Sequence, residues 1–230
     1  MSTLAAAVGS AKALRFWNTT NGKKAVMALT GAAMFGFVVV HLAGNLQIFL
    51  GPEKFNGYAH ALRDLGALLW VARAGLLLMA ALHIWSTIEL AGVKSHARPV
   101  AYARYQSSTS TYASRSMYMS GPIVAAFIVY HLLQFTFGVG GTPYSPDDPY
   151  GNVIAGFRVP VIAIAYIVAM ALLCLHLRHG LWSALQTLGL NHPRYTPHLR
   201  VSATLIALAI FFGFISIPIA IMARVVPQYL

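Results

Sequence analysis

The fold of this chain is decided by uncharged apolar stretches such as VPVIAIAYIVAMALLCLHL, which runs from Val159 to Leu177 between Arg158 and Arg178. About 20 apolar residues in a helix are needed to cross the hydrocarbon core of a bilayer. Four further windows of this kind occur along the chain. Together they predict five transmembrane helices, at about residues 25–50, 68–92, 117–140, 159–184 and 201–224. We therefore expect an all-α integral membrane protein with one transmembrane domain over residues 1–230.

The composition excludes several other classes of protein. Of the 230 residues, 58% are apolar and 9% are charged, whereas a soluble domain carries about 25% charged residues. A disordered chain, a disulfide scaffold and an ordinary cytosolic enzyme are therefore excluded. The single cysteine, Cys174, lies within the fourth span, so the chain cannot form an intrachain disulfide or a multi-cysteine metal or iron–sulfur site.

The formal net charge of +11 is distributed unevenly along the chain. Basic residues without acids occupy residues 12–24, residues 94–115 and residues 178–200, whereas four of the five acids lie in residues 53–64 and 147–158. Cytoplasmic loops of membrane proteins carry an excess of Lys and Arg. We therefore attribute the charge to this rule and not to nucleic-acid binding. It predicts a cytoplasmic N-terminus and an external C-terminus.

Proline positions refine the predicted helices. Pro122 and Pro160 fall in the first turns of the third and fourth spans, where proline is tolerated. Pro218 lies within the fifth span and predicts a kink. The stretch from Gly140 to Arg158, rich in Pro, Gly and Asp, is predicted to be the longest loop without a helix.

Each of the first four spans contains a histidine inside its apolar stretch: His41, His83, His131 and His176. A histidine within the membrane is a functional candidate by default. One such residue alone is equally well explained as an interhelical hydrogen bond. Four of them, one on each successive helix, favour a shared function. His179, one turn nearer the cytoplasm, is the rival to His176.

The depths of these histidines group them into two pairs. Each lies a few residues past the middle of its span, and successive spans run in opposite directions. His41 and His131 therefore lie about 4–5 Å towards the outside, and His83 and His176 about 5–7 Å towards the cytoplasm. Two axial imidazoles at one depth are what a haem iron requires, and helix bundles hold cofactors between facing helices. The pairs predict two haems in the first four helices, with no open iron position, which favours electron transfer.

Other residues fit such cofactors less specifically. For the haem propionates, Arg73 is a candidate at the outer site, and Lys24, Arg115 and Arg178 are candidates at the inner site, although each could instead extend to lipid headgroups. Small residues that would let a flat ring approach, or simply let helices pack tightly, are Gly31, Gly36, Gly44, Gly75, Gly121 and Gly138. Candidates for quinone contacts are His60, Trp70 and Arg73 on the outside, or Ser116, Trp182 and Ser183 on the inside.

The sequence around the histidines resembles a known family. The segments VVVHLAGN at His41, AALHIW at His83, VYHLLQF at His131 and HLRHGLWSALQTLG from His176 are similar to the single-chain, five-helix, dihaem cytochrome b anchor of succinate dehydrogenase and fumarate reductase. So are GKKAVMALTG, residues 22–31, and FNGYAHALRDLG in the first loop.

This resemblance implies that all four histidines bind haem iron, with His83 paired with His176 and His41 with His131. It favours His176 over His179. It further implies two haems b, a membrane quinone (menaquinone or ubiquinone) as substrate, and a flavoprotein and an iron–sulfur subunit as partners, with the dicarboxylate site on the flavoprotein. We expect a multi-pass protein in the inner (cytoplasmic) membrane of a bacterial cell, in contact with lipids and not with nucleic acid.

One position departs from the family. Some fumarate-reducing relatives carry a glutamate two residues before the last ligand, and here that residue is Cys174. A glutamate-based proton path at this position is therefore not expected.

Two alternatives remain open at this point. The first is a quinone-linked cytochrome b subunit of a hydrogenase, formate dehydrogenase or nitrate reductase, in which one helix often supplies more than one ligand. The second is a transporter or assembly protein without a cofactor, which would need a break in a helix near the middle of the membrane.

Overall fold

The computed structural model describes residues 16–96 and 112–227, apart from the side chains of residues 94–96 and 112–115. Within these ranges the chain forms seven α-helices and no strand. The helices are α1 (Thr20–Leu46), α2 (Pro52–Asp64), α3 (Ala67–His96), α4 (Tyr112–Phe135), α5 (Pro149–Phe157), α6 (Pro160–Thr187) and α7 (Thr196–Met222). A short 3₁₀ helix, Gln47–Leu50, extends α1.

Five of these helices are long and apolar enough to cross a membrane, which confirms the predicted all-α membrane fold. These segments are Thr20–Leu50, Ala67–Val93, Ser116–Phe135, Pro160–Thr187 and Thr196–Met222. In hydrocarbon every backbone N–H and C=O must be paired within the protein, and helices achieve this within each segment. Large apolar side chains such as Leu68, Val161 and Phe212 are accordingly exposed on the outer faces of the spans.

The limits of α4 differ from the prediction. The helix ends at Phe135 and not near residue 140, because the chain turns at Gly138, which has a positive φ of 70°. It begins at Tyr112, so Pro122 lies in its interior and not in its first turn. Pro160, by contrast, is the first residue of α6 as expected, and α7 continues through Pro218 as one helix.

The prediction of a loop without a helix between Gly140 and Arg158 was wrong, because α5 lies within it. Asp148 caps this helix by accepting a hydrogen bond from the Gly151 N–H at 3.0 Å, and Pro149 occupies the first turn. Tyr150 is fully buried and donates to the Pro227 carbonyl at 2.6 Å. The helix therefore closes one end of the bundle.

The spans form a bundle in which α1 and α6 are the central helices. Helix α1 packs against α3, α6 and α7, and α6 packs against α4 and α7. The first four spans therefore follow the order α3–α1–α6–α4 around the bundle. In this order α1 lies diagonally from α4, and α3 lies diagonally from α6. Neighbouring helices are about 8–10 Å apart, so diagonal partners are about 13 Å apart and leave an interior between them.

The beginning of α1 is tied to the last third of α3 by polar and aromatic contacts. Lys23 Nζ lies 2.6 Å from Glu89 Oε2, and the lysine side chain is only 11% exposed. Nearby, the indole rings of Trp17 and Trp85 stack with centroids 5.2 Å apart. These contacts fix the register of α1 against α3. The pair of His83 and His176, which we call the lower pair, depends on this register. The pair of His41 and His131 is called the upper pair.

Candidate functional site

The four membrane histidines meet as two pairs, each across one diagonal of the bundle. The ring centroids of His41 and His131 are 5.7 Å apart, with the ring planes 86° to each other. Those of His83 and His176 are 6.2 Å apart, with planes at 59°. These are the pairs that were expected from the histidine depths. Their role as metal ligands stays a prediction.

The spacing between the two pairs can be measured along two different helices. On α1, the lower pair lies at Thr30 and Gly31, which contact His83, and the upper pair lies at His41. On α6, the upper pair lies at Tyr166 and the lower pair at His176. Both helices place ten or eleven residues between the pairs, which corresponds to about 15 Å along the bundle. The pairs are therefore separate sites, one above the other.

The backbone of α1 fixes the orientation of the His83 ring. Its Nδ1 lies 3.1 Å from the Met27 carbonyl oxygen and 3.3 Å from Thr30 Oγ1. Since a carbonyl oxygen only accepts hydrogen bonds, Nδ1 carries the proton and Nε2 keeps its lone pair. Metal-bound histidines almost always donate their other ring N–H in this way.

Gly31 makes room for this histidine. A Cβ atom at Gly31 would lie 3.2 Å from Cε1 of His83, which is closer than ordinary packing allows. The glycine therefore permits the imidazole to lie directly against the α1 backbone.

His131 is oriented by a chain of two hydrogen bonds. Its Nδ1 lies 3.3 Å from the Tyr166 hydroxyl, and that hydroxyl donates to Gln134 Oε1 at 2.8 Å. Because the tyrosine proton is used on the glutamine, its oxygen accepts from Nδ1–H, and Nε2 of His131 is free. Tyr166 is itself enclosed by the rings of Phe127 and Phe157, with centroids 4.8 and 4.9 Å away.

His41 has a different neighbour. The Asn45 amide nitrogen donates to the His41 carbonyl at 2.7 Å and also lies 3.3 Å from Nδ1. An amide donor on Nδ1 favours a proton on Nε2, so ligation by Nε2 would require this longer contact to give way. The ring stacks on Phe37 at 5.2 Å and approaches Phe214 at 6.0 Å.

His176 lies opposite His83, and its Nδ1 is buried with no hydrogen-bond partner in the described part of the chain. Unpaired buried nitrogens are uncommon and call for an explanation. His179, its rival, lies one turn further along α6. It is the His176 ring that faces His83.

The glycines named from the sequence fall into two groups. At Gly36, Gly75 and Gly121 no atom lies within 4 Å of where a Cβ would be, so space is open beside the helix. At Gly44 and Gly138 that position is filled, by the rings of Tyr58 and Tyr144. The last two glycines therefore serve packing within the protein.

The basic candidates are distributed around the bundle. Arg73 lies with its guanidinium 4.9 Å from the centroid of the Trp70 ring. Lys24 is exposed and lies seven residues before Gly31, on the same side of α1. Arg178 donates from Nε to Thr204 Oγ1 of α7 at 3.2 Å. Since Arg178 is rotated by about 200° from His176 on α6, the structure does not bring it to the lower pair. Arg115 lies in the first turn of α4, but its side chain lies outside the described atoms.

The residues considered for quinone contacts remain dispersed. His60 borders an open depression of about 510 Å³ beside α2, together with Glu53 and Asp148, whereas Trp70 and Arg73 lie on α3. On the opposite side, Trp182 packs under Arg200 of α7, and Ser116 is buried in α4. No quinone site is assigned from these positions.

Comparison of the chain with protein-family models, with curated proteins and with solved structures finds no match. Among the described residues, no three His, Cys, Asp or Glu side chains lie together in a way that could hold a metal ion.

Tyr166 and Gln134 were not identified from the sequence. Both lie in apolar segments, where an isolated tyrosine or glutamine has several ordinary explanations. Gln134 lies three residues after His131, on the same side of α4, and this spacing was the one available signal. Tyr166 comes from another helix, so only the packing of α6 on α4 brings it to His131.

Proposed function

We propose that this chain is the membrane anchor and dihaem cytochrome b subunit of a succinate:quinone oxidoreductase. It would pass electrons between an iron–sulfur subunit and a membrane quinone. The proposal is supported by one observation above the others: two pairs of imidazoles face each other across the two diagonals of a four-helix bundle, about 15 Å apart in depth.

The separation within each pair fits two axial ligands on one metal. Since a histidine nitrogen binds a transition metal at about 2 Å and lies about 1 Å from its ring centre, two imidazoles on opposite sides of one metal have ring centres about 6 Å apart. The observed centroid distances are 5.7 and 6.2 Å. The donor set of two neutral nitrogens, with no carboxylate or thiolate, is the set used by b-type haems.

The hydrogen bonds around the histidines favour the same role. Nδ1 of His83 and Nδ1 of His131 both donate within the protein, which leaves Nε2 available and increases its basicity. The open space beside Gly75 and Gly121 would let flat groups lie against α3 and α4.

A bound haem supplies a metal that accepts and releases one electron. The residues of this chain would hold the metal from both sides, exclude water from it and set the separation of the two sites. If His41 and His131 held one metal, and His83 and His176 the other, no position would be left for oxygen. Electron transfer is therefore the chemistry that this arrangement favours.

The partner subunits follow from what this chain cannot do by itself. It has one cysteine, Cys174, within a span, so iron–sulfur clusters would belong to another subunit. The flavoprotein with the dicarboxylate site would bind on the same side of the membrane as this iron–sulfur subunit, the cytoplasmic side. Arg194, in the loop between α6 and α7, and Arg200, near the start of α7, lie on the side where we expect the partners. The protein would lie in the inner membrane of a bacterial cell.

The tagged full chain, isolated from its native membrane in mild detergent, tests this proposal. We expect a flavoprotein and an iron–sulfur protein to be isolated with it, and succinate to reduce its haems. A quinone analogue should then reoxidise the haems. In the His41→Ala variant, succinate should still reduce one haem, because the lower pair is intact.

Two results would contradict the proposal. Reduction of the haems by hydrogen or formate and not by succinate would favour a hydrogenase or dehydrogenase cytochrome b. A preparation without visible haem absorption would favour a membrane protein without this cofactor.

A further inference from the structure

Two arginines brace α6 against α7 at one end of the bundle. Arg178 of α6 donates from Nε to Thr204 Oγ1 of α7 at 3.2 Å. Arg200 of α7 lies with its guanidinium 4.7 Å from the centroid of the Trp182 ring on α6. Thr204 lies one turn after Arg200 along α7, and Trp182 lies one turn after Arg178 along α6. The two contacts lie one helical turn apart, about 6 Å, and we call Arg178 and Arg200 the α6–α7 arginine patch.

Both guanidinium groups keep donors available for a ligand. The bond from Arg178 to Thr204 uses Nε and leaves the two Nη amino groups. Arg200 lies over the Trp182 ring in a cation–π contact, which is not a hydrogen bond and so does not use its five N–H groups. Both arginine residues are exposed.

No carboxylate side chain of this protein can neutralise the patch. The whole sequence contains five acids. Glu89 is paired with Lys23 at 2.6 Å. The other four lie in α2 and in the segment between α4 and α5, which are on the opposite side of the membrane from the loop that follows α6. The negative charge that balances Arg178 and Arg200 must therefore come from another molecule.

The surroundings of the patch fit a lipid better than a protein surface. Val201 and Leu205 of α7 are 58% and 61% exposed, and they form apolar surface on a face that is rotated by about 100–140° from Arg200 and leads towards the middle of the span. Trp182 lies where aromatic residues mark the membrane boundary. A molecule with a phosphate at the arginines and acyl chains along these side chains would satisfy both surfaces.

We propose that the α6–α7 arginine patch binds the phosphodiester headgroup of an anionic phospholipid, with its acyl chains along the exposed face of α7. Arginine suits this role because its planar fork pairs with two phosphate oxygens at once. The site does not depend on the haems or on the proposed electron transfer.

Binding of dioleoylphosphatidylglycerol to the purified full chain in neutral detergent tests the proposal. Native mass spectrometry would give the dissociation constant, with dioleoylphosphatidylcholine as the uncharged comparison. We expect clear preference for the anionic lipid, and a loss of about fivefold in affinity for Arg178→Gln and for Arg200→Gln. Arg194→Gln makes the same change of charge nearby, in the loop that joins α6 to α7, and should have little effect.

Arg200→Lys separates fixed geometry from charge. It keeps the charge and the fold but loses the planar contact with Trp182, so affinity should fall, although less than in Arg200→Gln. This variant also keeps the test usable if a glutamine variant proves unstable.

Three results would overturn the proposal. If the two lipids bound equally well, the patch would not require an anionic headgroup. An acidic protein surface would then be the better candidate for its partner. A loss in Arg194→Gln as large as in the two patch variants would indicate diffuse attraction by the loop. If inorganic phosphate protected the protein against thermal unfolding as well as dioleoylphosphatidylglycerol does, the patch would be a site for a free anion.

Discussion

At the scale of single residues, the proposed ligand role depends on which imidazole nitrogen is free. The Met27 carbonyl fixes the proton of His83, and Tyr166 fixes that of His131. His176 has no such partner on Nδ1 in the described residues. In each pair, one histidine therefore donates a hydrogen bond from Nδ1 that orients its ring, and the other histidine does not.

The Tyr166 hydroxyl should control the upper site. Its bond to His131 Nδ1 makes the imidazole a stronger electron donor, which stabilises an oxidised metal. In Tyr166→Phe we expect the midpoint potential of the upper haem to rise and its affinity to fall by about 10- to 100-fold. A redox titration, together with the rate of haem loss, measures both effects.

Tyr130→Phe is the matched control, because Tyr130 contacts the Tyr166 ring at 6.1 Å and lies next to His131 in the chain. Equal shifts in the two variants, or a shift of the lower haem alone, would contradict the role given to Tyr166.

Gly31 should be needed by the lower site alone. A side chain in Gly31→Val would press on His83, since even a Cβ would lie 3.2 Å from its ring. We expect loss of the lower haem with retention of the upper one, measured from the haem content. In Gly92→Ala, on the opposite face of α3 from His83 and with open space at its Cβ, both haems should remain. Retention of both haems in Gly31→Val would contradict this close approach.

The residues that sequence alone identified are those whose chemistry is unusual in a membrane. Four histidines in apolar spans stand out, and their positions along each span were enough to predict the pairs. The Tyr166–Gln134 bonds could not be predicted, because they depend on the rotation of α6 against α4. The position of Arg178 could be predicted, because it lies two residues after His176 and so about 200° around α6 from it.

At the scale of the elements, α1 is joined to α3 by the ion pair between Lys23 and Glu89. The chain contains only five acids, so few other ion pairs are available to it. Lys23 is 11% exposed and Glu89 is 41% exposed. We expect Glu89→Gln to destabilise the protein by about 1–2 kcal/mol, less than the about 3–5 kcal/mol for breaking a fully buried pair. Unfolding in mixed detergent micelles measures this difference.

Replacing both partners tests the cause of this loss. In Lys23→Met combined with Glu89→Leu, much of the stability should return, because no charge is left unpaired. Lys24→Gln, a change of the neighbouring exposed lysine, should be nearly neutral. A double variant less stable than Glu89→Gln would show that the charges are not the reason.

The spans were predicted well and the connections less well, for a physical reason. A transmembrane helix follows from a long apolar window, which local composition reveals directly. Helix α5 has sequence signals of its own, Asp148 as N-cap and Pro149 in the first turn. The density of Pro, Gly and Asp around them concealed it. Its stability comes from burial of Tyr150 and Ile154 against distant parts of the chain, which no local pattern contains.

At the scale of the whole molecule, the charge asymmetry predicts one orientation in the membrane. Cys174 lies in a span, so introduced cysteines can be labelled against a low background once it is replaced by alanine. In intact cells, a membrane-impermeant maleimide should label Asp147→Cys, in the loop before α5, and not Asn191→Cys, in the loop after α6. The reverse labelling pattern would contradict the predicted orientation.

The arrangement of the bundle gives each helix a clear task. Helices α1 and α6 are central and each contributes to both sites, whereas α3 contributes to the lower site and α4 to the upper site. Helix α7 contributes no histidine to either pair, since its histidine, His198, lies in its first turn, and it supports α1 and α6 from the side. The two sites therefore share a scaffold but have separate ligands, so they should be lost independently.

The central claim is tested most directly by the haem content of the purified full chain, measured as the pyridine haemochrome and normalised to protein. We predict two haems b per chain, one haem in His41→Ala and in His131→Ala, and one in His83→Ala and in His176→Ala. The remaining haem should be the same within each pair of variants and different between the pairs. A folded chain without haem, or variants that lose both haems or neither, would contradict the two-site account.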